Sequence, residues 1–280
     1  MTVEKKSSLM CMICKTFKNT FITQLKFPLL DQEILTDIYK CHGCGSYFRQ
    51  CSYMSANMKS HFTVAGYNQL ERENELFIRR QYFFEFIVTV MKRFKQEAKT
   101  VLDIGTGFGH FLKILKNHMY DVSGIELEQG LYQRLKQDGM DVYKFIKEIP
   151  LERKYDIITM IDTLYYMDDP LDYLKKLREY LAANGLLIIR IANRVPILNF
   201  RRLCHLPITH NEFVDHKYHF SMRAIKLLMK NSGYKIKKII FTDQGKMIGN
   251  KKQRRNLLLL KILNLQPFVK LYPGVFLICE

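Results

Sequence analysis

The sequence predicts an α/β protein: a doubly wound, mostly parallel sheet with a small cysteine-rich module in front of it. Three observations carry this. Residues 100–111 read as a buried strand, a glycine-rich turn and a helix in direct succession. Apolar runs and amphipathic stretches then alternate as far as residue 192, the pattern of βα units around a parallel sheet. Two C-x-x-C pairs, Cys11 with Cys14 and Cys41 with Cys44, stand apart near the start of the chain. We divide the 280 residues into a module at 1–60 and a larger domain at 61–280.

Composition narrows the class. Hydrophobic residues make up 48% of the chain, enough for a sizeable core. Lys and Arg number 44 against 27 acids, a net charge of +17. The excess is uneven: residues 190–255 hold 16 cations and three acids, Glu212, Asp215 and Asp243. Such a face attracts phosphate-bearing partners, or is a solvated surface and nothing more. The sequence has no apolar run long enough to span a bilayer and no apolar run behind Met1 like that of a secretory signal. Paired cysteines without a disulfide framework suit a reducing compartment, so we expect a cytoplasmic protein.

In the module, each C-x-x-C is a tight knuckle that turns two thiolates toward one point. Gly43 and Gly45 ease the second knuckle. Four thiolates make the closed tetrahedral shell of a structural zinc ion, so Cys11, Cys14, Cys41 and Cys44 are the expected ligands. Two buried cysteine pairs without metal are the alternative. Residues 17–39 suit a small hairpin between the knuckles. Cys51 has no partner pair, and His42 and His61 are bystanders. Residues 60–99 then read as an amphipathic helix carrying Leu70, Phe77, Ile78, Tyr82, Phe86, Ile87, Val90 and Met91. Residues 61–68, with Tyr67, are a candidate ligand contact.

The central turn follows. Val101, Leu102 and Ile104 end a buried strand; Gly105, Gly107 and Gly109 come at every second position; Leu112, Leu115 and Met119 recur at helical spacing. Glycines allow positive φ and let a ligand approach bare backbone. Asp103 sits inside the strand end, and Glu126 closes the next apolar segment, where a carboxylate takes both hydroxyls of a ribose. The spacing G-x-G-x-G differs from the dinucleotide fingerprint and fits a ligand with a ribose but no pyrophosphate, such as S-adenosylmethionine. The run Val101-Leu102-Asp103-Ile104-Gly105-Thr106-Gly107-Phe108-Gly109 resembles motif I of the class I S-adenosylmethionine-dependent methyltransferases. A glycine turn from another doubly wound protein, such as a nicotinamide enzyme, is the alternative.

That resemblance implies a seven-stranded sheet and a cofactor site formed by Asp103, Gly105, Gly107, Gly109 and Glu126. A helix is expected at residues 130–138, ended by Gly139, and a strand at 140–143. The resemblance places the adenine beside Phe145 and Ile146, although the acidic residue many relatives carry there is missing. Met160, on the strand Tyr155-Asp156-Ile157-Ile158-Thr159-Met160-Ile161-Asp162, completes the implied cofactor set. The next loop resembles the family's "L-E-H-x-x-D-P", with Tyr165 and Tyr166 where Glu and His are common. Tyr166 either hydrogen-bonds the acceptor through its hydroxyl or packs at a strand end. A helix at 171–181, a stop at 182–185 and a strand at 186–191 complete the resemblance, which covers residues 100–192 well and the rest loosely.

Residues 194–220 are the expected acceptor region, with His205, His210, His216 and His219. His216-Lys217-Tyr218-His219-Phe220-Ser221 resembles the "H-x-x-x-F-S" signature of saccharide and natural-product methyltransferases. Ser221 is an N-cap for a helix at 222–231, followed by a strand at 236–241. His216 is either a general base or a structural histidine. The basic run 251–255 and the apolar stretch 257–265 either pack on the sheet or lie on an anionic membrane surface. Residues 275–279 read as the last strand.

The resemblance implies methyl transfer from S-adenosylmethionine to the oxygen or carbon of a small molecule, a saccharide or a lipid-linked precursor. An RNA acceptor fits the charge and the cysteine module, but the chain lacks an "N-P-P-Y"-like or cysteine-nucleophile motif and an aromatic stacking series. A scaffold that keeps the fold without catalysis is the third reading.

Overall fold

A computed structural model describes residues 9–29, 32–51, 73–213, 216–242 and 273–280. The candidate contact at 61–68 and the basic and apolar stretches at 251–271 lie outside the described residues. Among the described residues no helix is long and apolar enough to cross a membrane.

The main sheet has seven strands: β4 (Thr100–Ile104), β5 (Asp121–Ile125), β6 (Val142–Tyr143), β7 (Tyr155–Ile161), β8 (Leu181–Ala192), β10 (Ile236–Thr242) and β11 (Gly274–Cys279). Their spatial order is β10-β11-β8-β7-β4-β5-β6. All neighbouring pairs from β6 to β8 are parallel, and β11 runs antiparallel to both β8 and β10. The chain builds outward from β4 to β6, then crosses to β7 on the other side of β4. The switch point therefore lies between β4 and β7, where open α/β sheets place their ligands.

The central strands are mainly apolar because both faces are covered. Leu102, Ile104, Leu187 and Ile189 join one core, against Leu174 and Leu177 of α4 (Pro170–Arg178) and Leu228 and Met229 of α6 (Met222–Asn231). Val101, Leu186 and Ile188 join the other, against Phe84 and Ile87 of α1 (Glu73–Phe94) and Phe111 and Leu115 of α2 (His110–Asn117). The alternation follows the two-residue period of a strand. Ile78 and Tyr82 share the helical spacing of α1 but stand exposed, so its first half overhangs the core. The α3 helix (Gln129–Gln137) links β5 to β6.

Some boundaries shift. The fourth helix stops at Arg178, earlier than expected, because Tyr180 is buried and Leu181 already pairs with Tyr155 in the sheet. Residues 182–185 form an irregular entry to β8, with Asn184 at φ 60°.

The cysteine module forms a second, antiparallel sheet: β1 (Asn19–Leu29), β2 (Gln32–Cys41) and β3 (Tyr47–Cys51). Its fourth strand, β9 (Tyr218–His219), comes from the acceptor region and pairs with β3. Ser221 caps α6 by accepting from the Ala224 amide at 3.0 Å, and its hydroxyl donates to the Cys44 carbonyl. Val195 and Leu198 of α5 (Val195–Leu203) pack on Ile38 and Tyr47 of the same sheet.

Candidate cofactor and acceptor site

At the switch point, β4 ends in Asp103 and Ile104, and the chain turns sharply. The amides of Gly105 and Thr106 both donate to the Ile125 carbonyl, at 2.8 and 3.1 Å, which ties the turn to β5. Gly105 has φ 77°, and a Cβ there would sit 2.7 Å from the Thr163 hydroxyl. Gly107 has φ 57°, and a Cβ there would meet nothing within 4 Å among the described residues. Gly109 begins α2 against Leu135. The turn is thus walled by side chains on two sides and bare at Gly107.

Two carboxylates face that space. Glu126 is buried; it accepts from the Gly107 amide at 2.7 Å and from the Glu128 amide at 2.9 Å. Burial raises its pKa, and these amides oppose the shift. Asp103 is buried at the strand end, accepting from the Thr159 hydroxyl at 2.6 Å. Burial lifts its pKa to about 7, the Thr159 bond pulls it down, and the charge of Glu126 pushes it up. Two buried acids that repel each other make a site for a cation. The buried Thr106 hydroxyl beside them has no hydrogen-bond partner among the described residues.

Beyond β7 the chain bends again. Asp162 has φ 57°, sparsely populated for a residue with a side chain. It is held there by ion pairs to Arg190 of β8 and to Arg80 of α1, the latter at 3.2 Å. Thr163 donates to the Ile104 carbonyl at 2.9 Å and so braces the glycine turn from below. Tyr165 is buried with its ring against His216, 3.8 Å between centroids. Tyr166 is partly exposed beside it, at 4.8 Å.

Burial and the nearby Arg194 push the His216 pKa down to about 4, while Asp162 opposes them. The imidazole is therefore neutral at pH 7 and keeps a free lone pair. His219 is lowered to about 3 by burial and by His216; its Nε2 lies 2.6 Å from the Glu212 carbonyl oxygen.

A methyltransferase domain model matches residues 76–239 of the sequence. The chain belongs to the methyltransferase family. Among solved structures, an S-adenosylmethionine-dependent methyltransferase of Clostridium acetobutylicum superposes with a TM-score of 0.50 at 13% identity, covering 76% of this chain and 98% of its own. One from Thermotoga maritima also gives 0.50, at 19% identity over 75% of this chain and 95% of its own. These likenesses concern the fold: the doubly wound, seven-stranded sheet of the class I S-adenosylmethionine-dependent methyltransferases. No curated protein matches the chain.

The methyltransferase turn fits that cofactor on its own geometry. The open space at Gly107, the Glu126 carboxylate bonded to the same residue, and the unpaired Thr106 hydroxyl suit a ribose. The repelling acids suit a cationic sulfonium or ammonium. Phe145, exposed, and Ile146, half-buried, follow β6 at the same end of the sheet. Met160 is fully buried in the core with Leu102, Ile104 and Leu164. Tyr166 and His216 come together, 6.3 Å between rings, across residues far apart in sequence. Asp162, Thr163 and Arg80 were not anticipated. A strand-end Asp followed by Thr was the only local signal for the first two, and a helical Arg gave none.

The cysteine knuckles converge as their spacing predicts. The four sulfurs of Cys11, Cys14, Cys41 and Cys44 lie within 4.8 Å of one another, with Cys11–Cys44 at 3.8 Å and Cys14–Cys41 at 3.4 Å. A tetrahedral Zn–S bond of about 2.3 Å puts sulfurs about 3.8 Å apart, so the donor set matches that ion. His42 points elsewhere, to the Thr20 hydroxyl.

Proposed function

We propose that this methyltransferase moves the methyl group of S-adenosylmethionine to the oxygen or carbon of a small-molecule or saccharide acceptor, lipid-linked precursors included. One observation carries the cofactor half: the bare backbone of Gly107 bonded to the buried Glu126, with Asp103 behind it. Glu126 would take the ribose hydroxyls, and Asp103 would face the cationic end. When bound, the cofactor supplies a methyl group already activated by its sulfonium. What remains for the protein is to hold the acceptor in line and to take its proton.

His216 is the residue proposed for the proton. Burial lowers its pKa to about 4, which keeps it neutral at pH 7, and the buried Tyr165 ring packs against it at a 37° tilt. The hydroxyl of Tyr166, whose ring lies 6.3 Å from His216, is the group proposed to orient the acceptor. Cys11, Cys14, Cys41 and Cys44 are proposed to hold a structural zinc ion, with no open position for catalysis. We place the activity in the cytoplasm. The small acceptor is favoured over RNA because the rings of Tyr165, Tyr166 and His216 on the proposed acceptor side pack on one another and form no stacking series.

The test is transfer of a labelled methyl group from S-adenosylmethionine into a pooled cell extract, with mass spectrometry of the labelled products. A labelled small molecule supports the reading. Label confined to RNA, or no label from protein that binds the cofactor, refutes the acceptor half.

A further inference from the structure

Helix α5 has two apolar faces, and only one is used. Val195 and Leu198 point inward and pack on the module sheet. Ile197, Phe200 and Leu203 recur every three residues on the outer side, 45%, 57% and 79% exposed, and Leu206, in the turn that ends the helix, is 48% exposed. A contiguous exposed stripe of this kind marks an interaction surface.

Its borders are cationic. Arg194 precedes the helix and is exposed, and Arg201 lies two turns further along the same edge, where it pairs with Glu212 at 3.2 Å. On the other side Lys40 donates to Asn199 at 2.8 Å; burial first, and then the charge of Arg202, lower its pKa. Large apolar side chains rimmed by Arg and Lys suit the boundary between acyl chains and anionic headgroups. The helix needs no ordering to act this way: Pro196 starts it, and its inner face is already clamped.

The geometry points to α5 as a docking site for an anionic membrane surface, entered by Phe200 and Leu203 and held by the flanking cations. The place is telling. The helix leaves the end of β8 at the switch-point side of the sheet, and the charge of Arg194 reaches His216. Docking would bring the acceptor side of the protein to the lipid surface. This surface is separate from the basic stretch at 251–255. The inference does not depend on the cofactor reading.

The chain contains no tryptophan, so Leu203→Trp gives a single fluorescent reporter on the stripe. The full-length protein is mixed with vesicles of phosphatidylcholine alone or of phosphatidylcholine with phosphatidylglycerol. The expected result is co-sedimentation with the anionic vesicles only, weakened by salt, with a blue-shifted Leu203→Trp emission that brominated lipid quenches. The F200S/L203S double variant should lose at least tenfold in vesicle affinity while keeping its melting temperature and its heat of S-adenosylmethionine binding. Three results overturn the proposal: no binding by the wild type, equal binding by the double variant, or a wild-type dimer in solution that the double variant converts to monomer. Titration with S-adenosylmethionine on the same preparations reports separately on the cofactor site.

Discussion

Replacing Asp103 with Asn removes one charge from the switch point and leaves the shape nearly unchanged. The effect follows from burial. A carboxyl lifted from its ordinary 3.8 to about 7 opposes ionisation in the folded state by about 4 kcal/mol. Because the folded pKa is raised, Asp103 is neutral in both states below pH 4 and contributes nothing adverse there. As pH rises toward 7, the unfolded chain releases its proton first and folding loses free energy. Above pH 7 the full cost is present. Asp103→Asn should therefore melt with the wild type at pH 4 and about 10 °C above it at pH 8, taking about 2–4 °C per kcal/mol for a domain of this size. Differential scanning fluorimetry of both proteins across this range measures it. The cofactor should reverse the order: its cation neutralises Asp103, so the wild type gains more from S-adenosylmethionine at pH 8 than at pH 5.5, and the variant gains little at either pH. Parallel melting curves for the two proteins would refute the reasoning, since Asp103 would then not be a buried, poorly compensated acid.

Other consequences follow from the same geometry. Gly107→Ala costs about 1–2 kcal/mol for a Cβ at positive φ and fills the open space, so calorimetry should show at least a tenfold loss of S-adenosylmethionine affinity. His216→Ala should lower turnover by about 10²-fold or more with the cofactor affinity unchanged, measured once the acceptor is in hand. His216 and His219 have depressed pKa values near 4 and 3, so they contribute stability that is complete above about pH 6.5 and lost as pH falls toward 4; replacing His219 with Gln should shorten that acid limb in a melting series. If the cysteine cluster holds the proposed zinc ion, a chelator, like Cys41→Ser, should lower the melting temperature and shift the NMR signals of His216 and His219 through the β3–β9 pairing and the Cys44–Ser221 bond, while cofactor binding persists.

Most of the main sheet was readable from sequence because its strands are buried on both faces. Val101 to Ile104, Ile157 to Met160 and Leu186 to Ile191 are apolar runs broken only by Asp103, Thr159 and Arg190, which few other environments allow. The glycine turn was readable for a different reason: positive φ at Gly105 and Gly107 leaves glycine the easiest residue. The cysteine cluster was readable because thiolate geometry fixes its spacing. What escaped depends on long-range pairing. The two-residue strand β9 has no period of its own, and nothing local tells Tyr218 and His219 that Tyr47 and Phe48 will lie beside them. The ion pairs of Asp162 with Arg190 and Arg80 join three elements and leave no local trace.

The most direct measurement is calorimetric titration of the wild type and of Glu126→Ala with S-adenosylmethionine. Saturable one-to-one binding by the wild type, absent from a Glu126→Ala protein that still folds, is the predicted result. A folded wild type that gives no binding, or a Glu126→Ala protein that binds as tightly, would contradict the central claim that the ribose is taken at the bare turn beside this carboxylate.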